Sequence, residues 1–131
     1  MKNTIYISAV FILGMAVTQG CKPKPNNITG GGKGGIAVIA ATCDYYGTLL
    51  DTCTVYIKYN THDAPANGVY DDSAASVLVN NWPTATFDSL TAGNYYLLAV
   101  GIHAGSLSRG ASPCTIAQTG TTKALIVTGH N

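Results

Sequence analysis

Thr52-Cys53-Thr54-Val55-Tyr56-Ile57-Lys58-Tyr59-Asn60 alternates without a break. Cys53, Val55, Ile57 and Tyr59 fall on one side, and Thr54, Tyr56, Lys58 and Asn60 on the other. A period of two is that of a β-strand with one face buried. Working outward, the rest of the chain reads as further short apolar runs divided by Gly, Asp, Asn and Pro. They run from Ile36 to Thr42, Ser76 to Asn80, Thr84 to Phe87, Tyr95 to His103, Cys114 to Gln118 and Lys123 to Val127. The run from Tyr95 is apolar on both sides, as a strand in the middle of a sheet would be. No stretch after residue 20 repeats at the helical period. Abundant Thr, Val, Tyr and Gly, with no Glu at all, agree with strand rather than helix. These observations predict an all-β fold, a single antiparallel β-sandwich of about seven strands over residues 36–131.

Composition narrows the function classes. Charged residues make up 10% of the 131, all six acids are Asp, and the net charge is +1. Such a chain has no basic field for nucleic acid. With 47% hydrophobic residues it is not an acidic disordered chain either.

The first twenty residues read as an address. Lys2 gives a positive start, and Ile5 to Val17 is a mostly apolar run of 13 residues. That is shorter than the ~20 residues of a membrane span and fits the apolar segment of a secretory signal. Thr18-Gln19-Gly20-Cys21 follows and resembles a bacterial lipobox, although Thr18 stands where Leu is usual. The resemblance implies cleavage of 1–20, with Cys21 acylated as the mature N-terminus. An ordinary secretory signal and an uncleaved anchor are the alternatives. More than one acyl chain is needed for stable anchoring, since one binds only marginally. Cleavage removes Lys2 and leaves bases and acids equal in number. Residues 21–35 then form the lipidated Cys and a Pro-, Asn- and Gly-rich tether, with a reach of about 20 Å. Its glycines do not link a strand to a helix, so they do not form a phosphate-cradling loop. Lys22-Pro23-Lys24 lacks the acidic signature of some surface-exposed lipoproteins. The expected location is the cell envelope, on the outer membrane and facing the periplasm.

Phe87-Asp88-Ser89-Leu90-Thr91-Ala92-Gly93-Asn94-Tyr95-Tyr96-Leu97 carries a second resemblance. It is similar to the F-x-x-L-x-x-G-x-Y-x-L stretch of transthyretin-like sandwiches, including carboxypeptidase regulatory-like domains and the B-type repeats of collagen-binding adhesins. The resemblance spans roughly residues 34–128. It implies that Phe87 ends one strand, Leu90 plugs the end of the sandwich, Gly93 makes the turn and Tyr95 faces inward. Gly93 suits a turn because glycine reaches positive φ without steric cost. Domains of this kind are mostly non-catalytic spacers, stalks, carbohydrate-binding or accessory modules. Some B-type repeats carry a Lys–Asn crosslink formed with an acidic residue. Here Lys58 points outward and no Glu exists, which argues against one.

Cys43, Cys53 and Cys114 remain once Cys21 is assigned, and they allow three pairings. An oxidising envelope favours a bond. Cys43 closes the first run and Cys53 opens the second, so a hairpin between those runs would bring the two together. A Cys43–Cys53 disulfide would close a short loop and contribute ~2–3 kcal/mol. No C-x₂₋₄-C pair suggests zinc. His62, His103 and His130 are scattered. Gly105-Ser106-Leu107-Ser108 lacks the closing glycine of a hydrolase elbow.

The loop from His62 to Ser73 is richer. Asp63, Asn67, Asp71 and Asp72 offer the oxygen ligands that Ca²⁺ prefers, though not at EF-hand spacing. The alternative is a solvated turn. Trp82 and Tyr70 head a set of aromatics, with Tyr45, Tyr46, Tyr56 and Tyr96, that could stack on sugars or peptides, or pack at strand edges. The expectation is therefore a non-catalytic envelope lipoprotein with no cofactor other than Ca²⁺ at that loop. It would be held to the membrane through Cys21 and act as an accessory or protein-interaction module with an envelope protein partner. The alternative is a carbohydrate- or ligand-binding module using the aromatics and the acidic loop.

Overall fold

A computed structural model describes residues 30–117 and 120–130. The stretch read as a signal, Cys21 and the part of the expected tether up to residue 29 lie outside the described residues. Those described form nine strands and no helix. They are β1 (Lys33–Asp44), β2 (Thr52–Tyr59), β3 (Asp72–Ala75), β4 (Val77–Val79), β5 (Trp82–Leu90), β6 (Gly93–His103), β7 (Ser106–Ile116), β8 (Thr121–Val127) and β9 (Gly129–His130). One sheet has the order β4-β5-β1-β8, and the other β3-β2-β6-β7-β9. The protein is an all-β sandwich.

Alternation builds the core. In β2, Cys53, Val55 and Ile57 are buried while Thr54, Tyr56 and Lys58 are half-buried. Ile39, Ala41 and Cys43 of β1 and Ala85, Phe87 and Leu90 of β5 oppose them from the four-stranded sheet. Tyr95, Leu97 and Ala99 continue the inner face on β6. Burying the Val, Ile, Leu and Phe side chains among them stabilises by roughly 1.5–3 kcal/mol each.

The strand count is nine rather than about seven, and the boundaries shift. β1 begins at Lys33, inside the stretch assigned to the tether. Cys114–Gln118 is not a separate strand, since its first residues end the 11-residue β7. Ser106–Pro113 is polar and small, yet β6 pairs with it along its whole length, from His103↔Ser106 to Gly93↔Ile116. β3 arises in the acidic stretch because Thr54–Ile57 of β2 offer it a ladder. One pair is not antiparallel: β8 runs parallel to β1, from Val38↔Thr121 to Asp44↔Val127.

Two tight turns direct the hairpins. Asn80 and Asn81, between β4 and β5, both take left-handed φ, as do Ala104 and Gly105 between β6 and β7. That is the geometry whose twist matches paired strands. In the Phe87–Leu97 stretch, Phe87, Leu90 and Tyr95 are all buried, and Gly93 has a φ of 151°. β5 continues past Phe87 to Leu90, and Ser89 also takes positive φ, 55°. The chain entering β1 crosses this turn. Thr91 N donates to Gly32 O at 2.9 Å and Asn94 N to Gly30 O at 3.1 Å.

Candidate functional site

Trp82 opens β5 on the outer face of the four-stranded sheet, because Ala85 and Phe87 take the inner positions. Its carbonyl accepts the Thr84 hydroxyl at 3.1 Å, and Thr84 meets Thr42 across the ladder at 3.3 Å. Small residues on β1 leave the floor beside the indole low. A groove of about 400 Å³ lies there, lined by Thr42, Asp44, Trp82, Lys123, Ala124 and Leu125. A second, of about 190 Å³, includes Val79, Asn80 and Thr84. Trp82, Thr42 and Lys123 line both, so the indole is a shared wall. Exposed aliphatic side chains flank it on both sheet edges. Val77 (64% exposed) and Val79 of β4 stand opposite Thr84 and Trp82 on this face, and Leu125 is 59% exposed on β8 with Val127 beside it.

The acidic loop does not gather its oxygens. Asp71 holds Lys58 at 3.2 Å and accepts the Tyr59 amide at 2.7 Å. Asp72, the next residue, faces Lys33 at 3.7 Å. Asn67 accepts the Val69 amide in a local turn, and the Asp63 amide donates to Thr61 Oγ1. Among the described residues no three His, Cys, Asp or Glu side chains stand close enough to share a metal ion. The loop lies instead over the outer face of the five-stranded sheet. His62 Nε2 is 2.7 Å from Thr115 Oγ1 on β7. Tyr70 tilts against Tyr56, with ring centroids 5.7 Å apart. Burial, and then the neighbouring Tyr96, push the Tyr70 phenol above its ordinary pKa. A groove of about 260 Å³ remains between loop and sheet, and Arg109 of β7 lines it. Sequence reasoning missed Arg109. The available signal was that it is the chain's sole arginine, set in a run of small residues.

Cys43 and Cys53 do approach each other, by another route than a hairpin. β1 and β2 belong to different sheets, so the two thiols meet across the core. All three described cysteines are free thiols. The Cys43 thiol donates to the Cys53 sulfur, which raises the pKa of Cys43 and lowers that of Cys53; burial raises Cys43 further. Burial alone raises Cys114. Cys53 also lines a cleft of about 240 Å³ at the sandwich edge. In the reduced protein a small alkylating reagent is therefore expected to modify Cys53 before Cys43 or Cys114, because the thiolate is the nucleophile. Peptide mass mapping of the natively treated chain reads the order.

The histidines are not all scattered. His103 stacks on Tyr45 with centroids 4.1 Å apart, and His130 lies 5.0 Å from the same ring. Each has Nδ1 within hydrogen-bond reach of a carbonyl, Leu49 O for His103 and Leu107 O for His130. His62 sits elsewhere, on β7's Thr115.

In comparisons with known proteins, no family model, no curated protein and no solved structure matches this chain.

Proposed function

We propose that this is a non-catalytic lipoprotein of the cell envelope, whose sandwich binds a protein partner through the outer face of its four-stranded sheet. The observation that carries the reading is the Trp82 wall with its two grooves, flanked by exposed aliphatic side chains on both edges. Contiguous exposed apolar surface of this kind marks interaction sites. A tryptophan beside a groove is the residue type that most often dominates an interface. The buried Phe87, Leu90 and Tyr95 around the Gly93 turn support a transthyretin-like sandwich, a class of mostly accessory modules.

A photo-crosslinking residue at Val79 or Leu125, in native membranes, is expected to trap one partner at near-equal abundance. The same residue at Ser89 is expected to trap none, and Trp82→Ala to abolish the adduct. Equal, diffuse labelling from all three positions would overturn the reading.

The anchor at Cys21 has its own test. Cys21→Ser is expected to abolish lipid labelling and release the chain from the membrane fraction, as measured by fractionation and intact mass. In an oxidising envelope Cys43 and Cys53 join as a disulfide. Intact mass of the protein purified without reductant is then expected to be short by two hydrogens, with Cys114 still alkylatable after unfolding.

A further inference from the structure

The groove under the 61–71 loop lies on the opposite sheet from Trp82 and has a different chemistry. Its floor is Leu98 and Val100 of β6, its walls are Tyr56, Tyr70 and the backbone at Gly68, and Arg109 stands at its side. The two phenol rings are inclined at 52° and form an open V. Gly68 has positive φ, 68°, and nothing within 4 Å of where a Cβ would be, which keeps that wall low. Arg109 is exposed and pairs with Val100 in the ladder. Among the described residues it makes no ion pair. Asp71, at the end of the loop, is taken by Lys58 and the Tyr59 amide. The groove thus presents one uncompensated guanidinium beside two aromatic faces.

We infer that this groove binds a uronate-bearing glycan, with one sugar ring against Tyr56 and Tyr70 and its carboxylate on Arg109. A pyranose ring has an apolar C–H face that suits aromatic side chains with a polar tip. The planar guanidinium matches a carboxylate with two parallel hydrogen bonds. About 260 Å³ accommodates one ring rather than a length of chain. A peptide is disfavoured by position. Extended peptides gain affinity by adding to a sheet edge, but this groove overlies β2, β6 and β7, and β6 is paired along both sides. Recognition here comes from side chains alone.

The test is a titration of the full-length chain in detergent micelles with ¹³C-labelled tyrosine, read by NMR. The probes are a tetrasaccharide of alternating glucuronate and N-acetylglucosamine, the neutral N-acetylglucosamine tetramer, and an acetylated tripeptide with a free carboxylate. The charged tetrasaccharide is expected to shift the Tyr56 and Tyr70 ring signals, with the neutral tetramer binding at least about tenfold more weakly. Arg109→Gln is expected to bring the charged probe down to the neutral one, Arg109→Lys to recover part of the loss, and Tyr70→Ala to weaken both sugars. These side chains lie outside the core, and an unchanged Trp82 emission spectrum checks the fold of each variant. Ring signals that stay put, that move equally for both sugars, or that respond to the tripeptide alone would overturn the assignment.

Discussion

Gly93→Ala is expected to destabilise the domain by about 4 kcal/mol, a large part of the ~5–15 kcal/mol that holds a domain together. Two effects add. The φ of 151° is one that side chains with a Cβ rarely adopt. A Cβ there would also run into Gly30 O and Gly31 N, backbone atoms that cannot swing away as a side chain can. Relief requires lifting residues 30–32 off the turn, at the expense of the Asn94–Gly30 and Thr91–Gly32 hydrogen bonds. Gly47 is the control. Its φ is 82°, but a Cβ would meet nothing within 4 Å, so Gly47→Ala is expected to lose only ~1–2 kcal/mol of backbone strain. Urea unfolding of the two variants separates the terms. A Gly93→Ala loss no larger than that of Gly47→Ala would mean that the 30–32 crossing contributes nothing to the folded domain.

Tyr95→Phe is expected to cost about 2 kcal/mol, and Tyr95→Ala about 4 kcal/mol. Tyr95 is fully buried, and its ring meets Tyr59 edge-on with centroids 5.9 Å apart. Its hydroxyl accepts the Gly32 amide at 2.9 Å and donates to Thr91 O at 2.6 Å. Phenylalanine keeps the packing but leaves an amide and a carbonyl without those partners, and buried polar groups left unpaired are expensive. At 4–8 °C per kcal/mol, the hydroxyl alone is worth roughly 8–16 °C in Tm for a domain of this size. An unchanged Tm in Tyr95→Phe would show that water replaces the phenol at both partners. Gly93 and Tyr95 lock the same crossing, so their effects are expected to fall short of additive in the double variant.

Both residues were readable in the Phe87–Leu97 stretch, but what they hold was not. The role of each rests on Gly30–Gly32, about sixty residues earlier, in a segment whose composition reads as tether. Cys43 and Cys53 show the same division. Their proximity was expected, for a hairpin that does not exist; the sandwich delivers it by placing β1 and β2 on facing sheets. Trp82 and Tyr70 were picked out by residue type, and each lines a groove. Arg109 was missed because a cation among Ser, Gly and Ala gives no periodic signal; only its being the sole arginine marked it. Asp63, Asn67, Asp71 and Asp72 were grouped by closeness in sequence, whereas the fold turns Asp71 to Lys58, Asp72 to Lys33 and Asn67 to the Val69 amide.

The sequence by itself determined what is local. Alternation in 52–60 set which side chains of β2 are buried, the double-sided apolar run at Tyr95–His103 marked a central strand, and turn residues divided the runs. These follow from the two-residue period of a strand and from the φ each residue type tolerates. Only the tertiary structure decided what depends on a distant partner: β7 through its polar half, β3 in the acidic stretch, and β8 parallel to β1. Strand formation in such segments is set by the ladder and face a neighbour offers rather than by their own propensity. The same reason governs the grooves. Each is a space between elements far apart in the chain, so its chemistry exists only once the sheets and the 61–71 loop have packed.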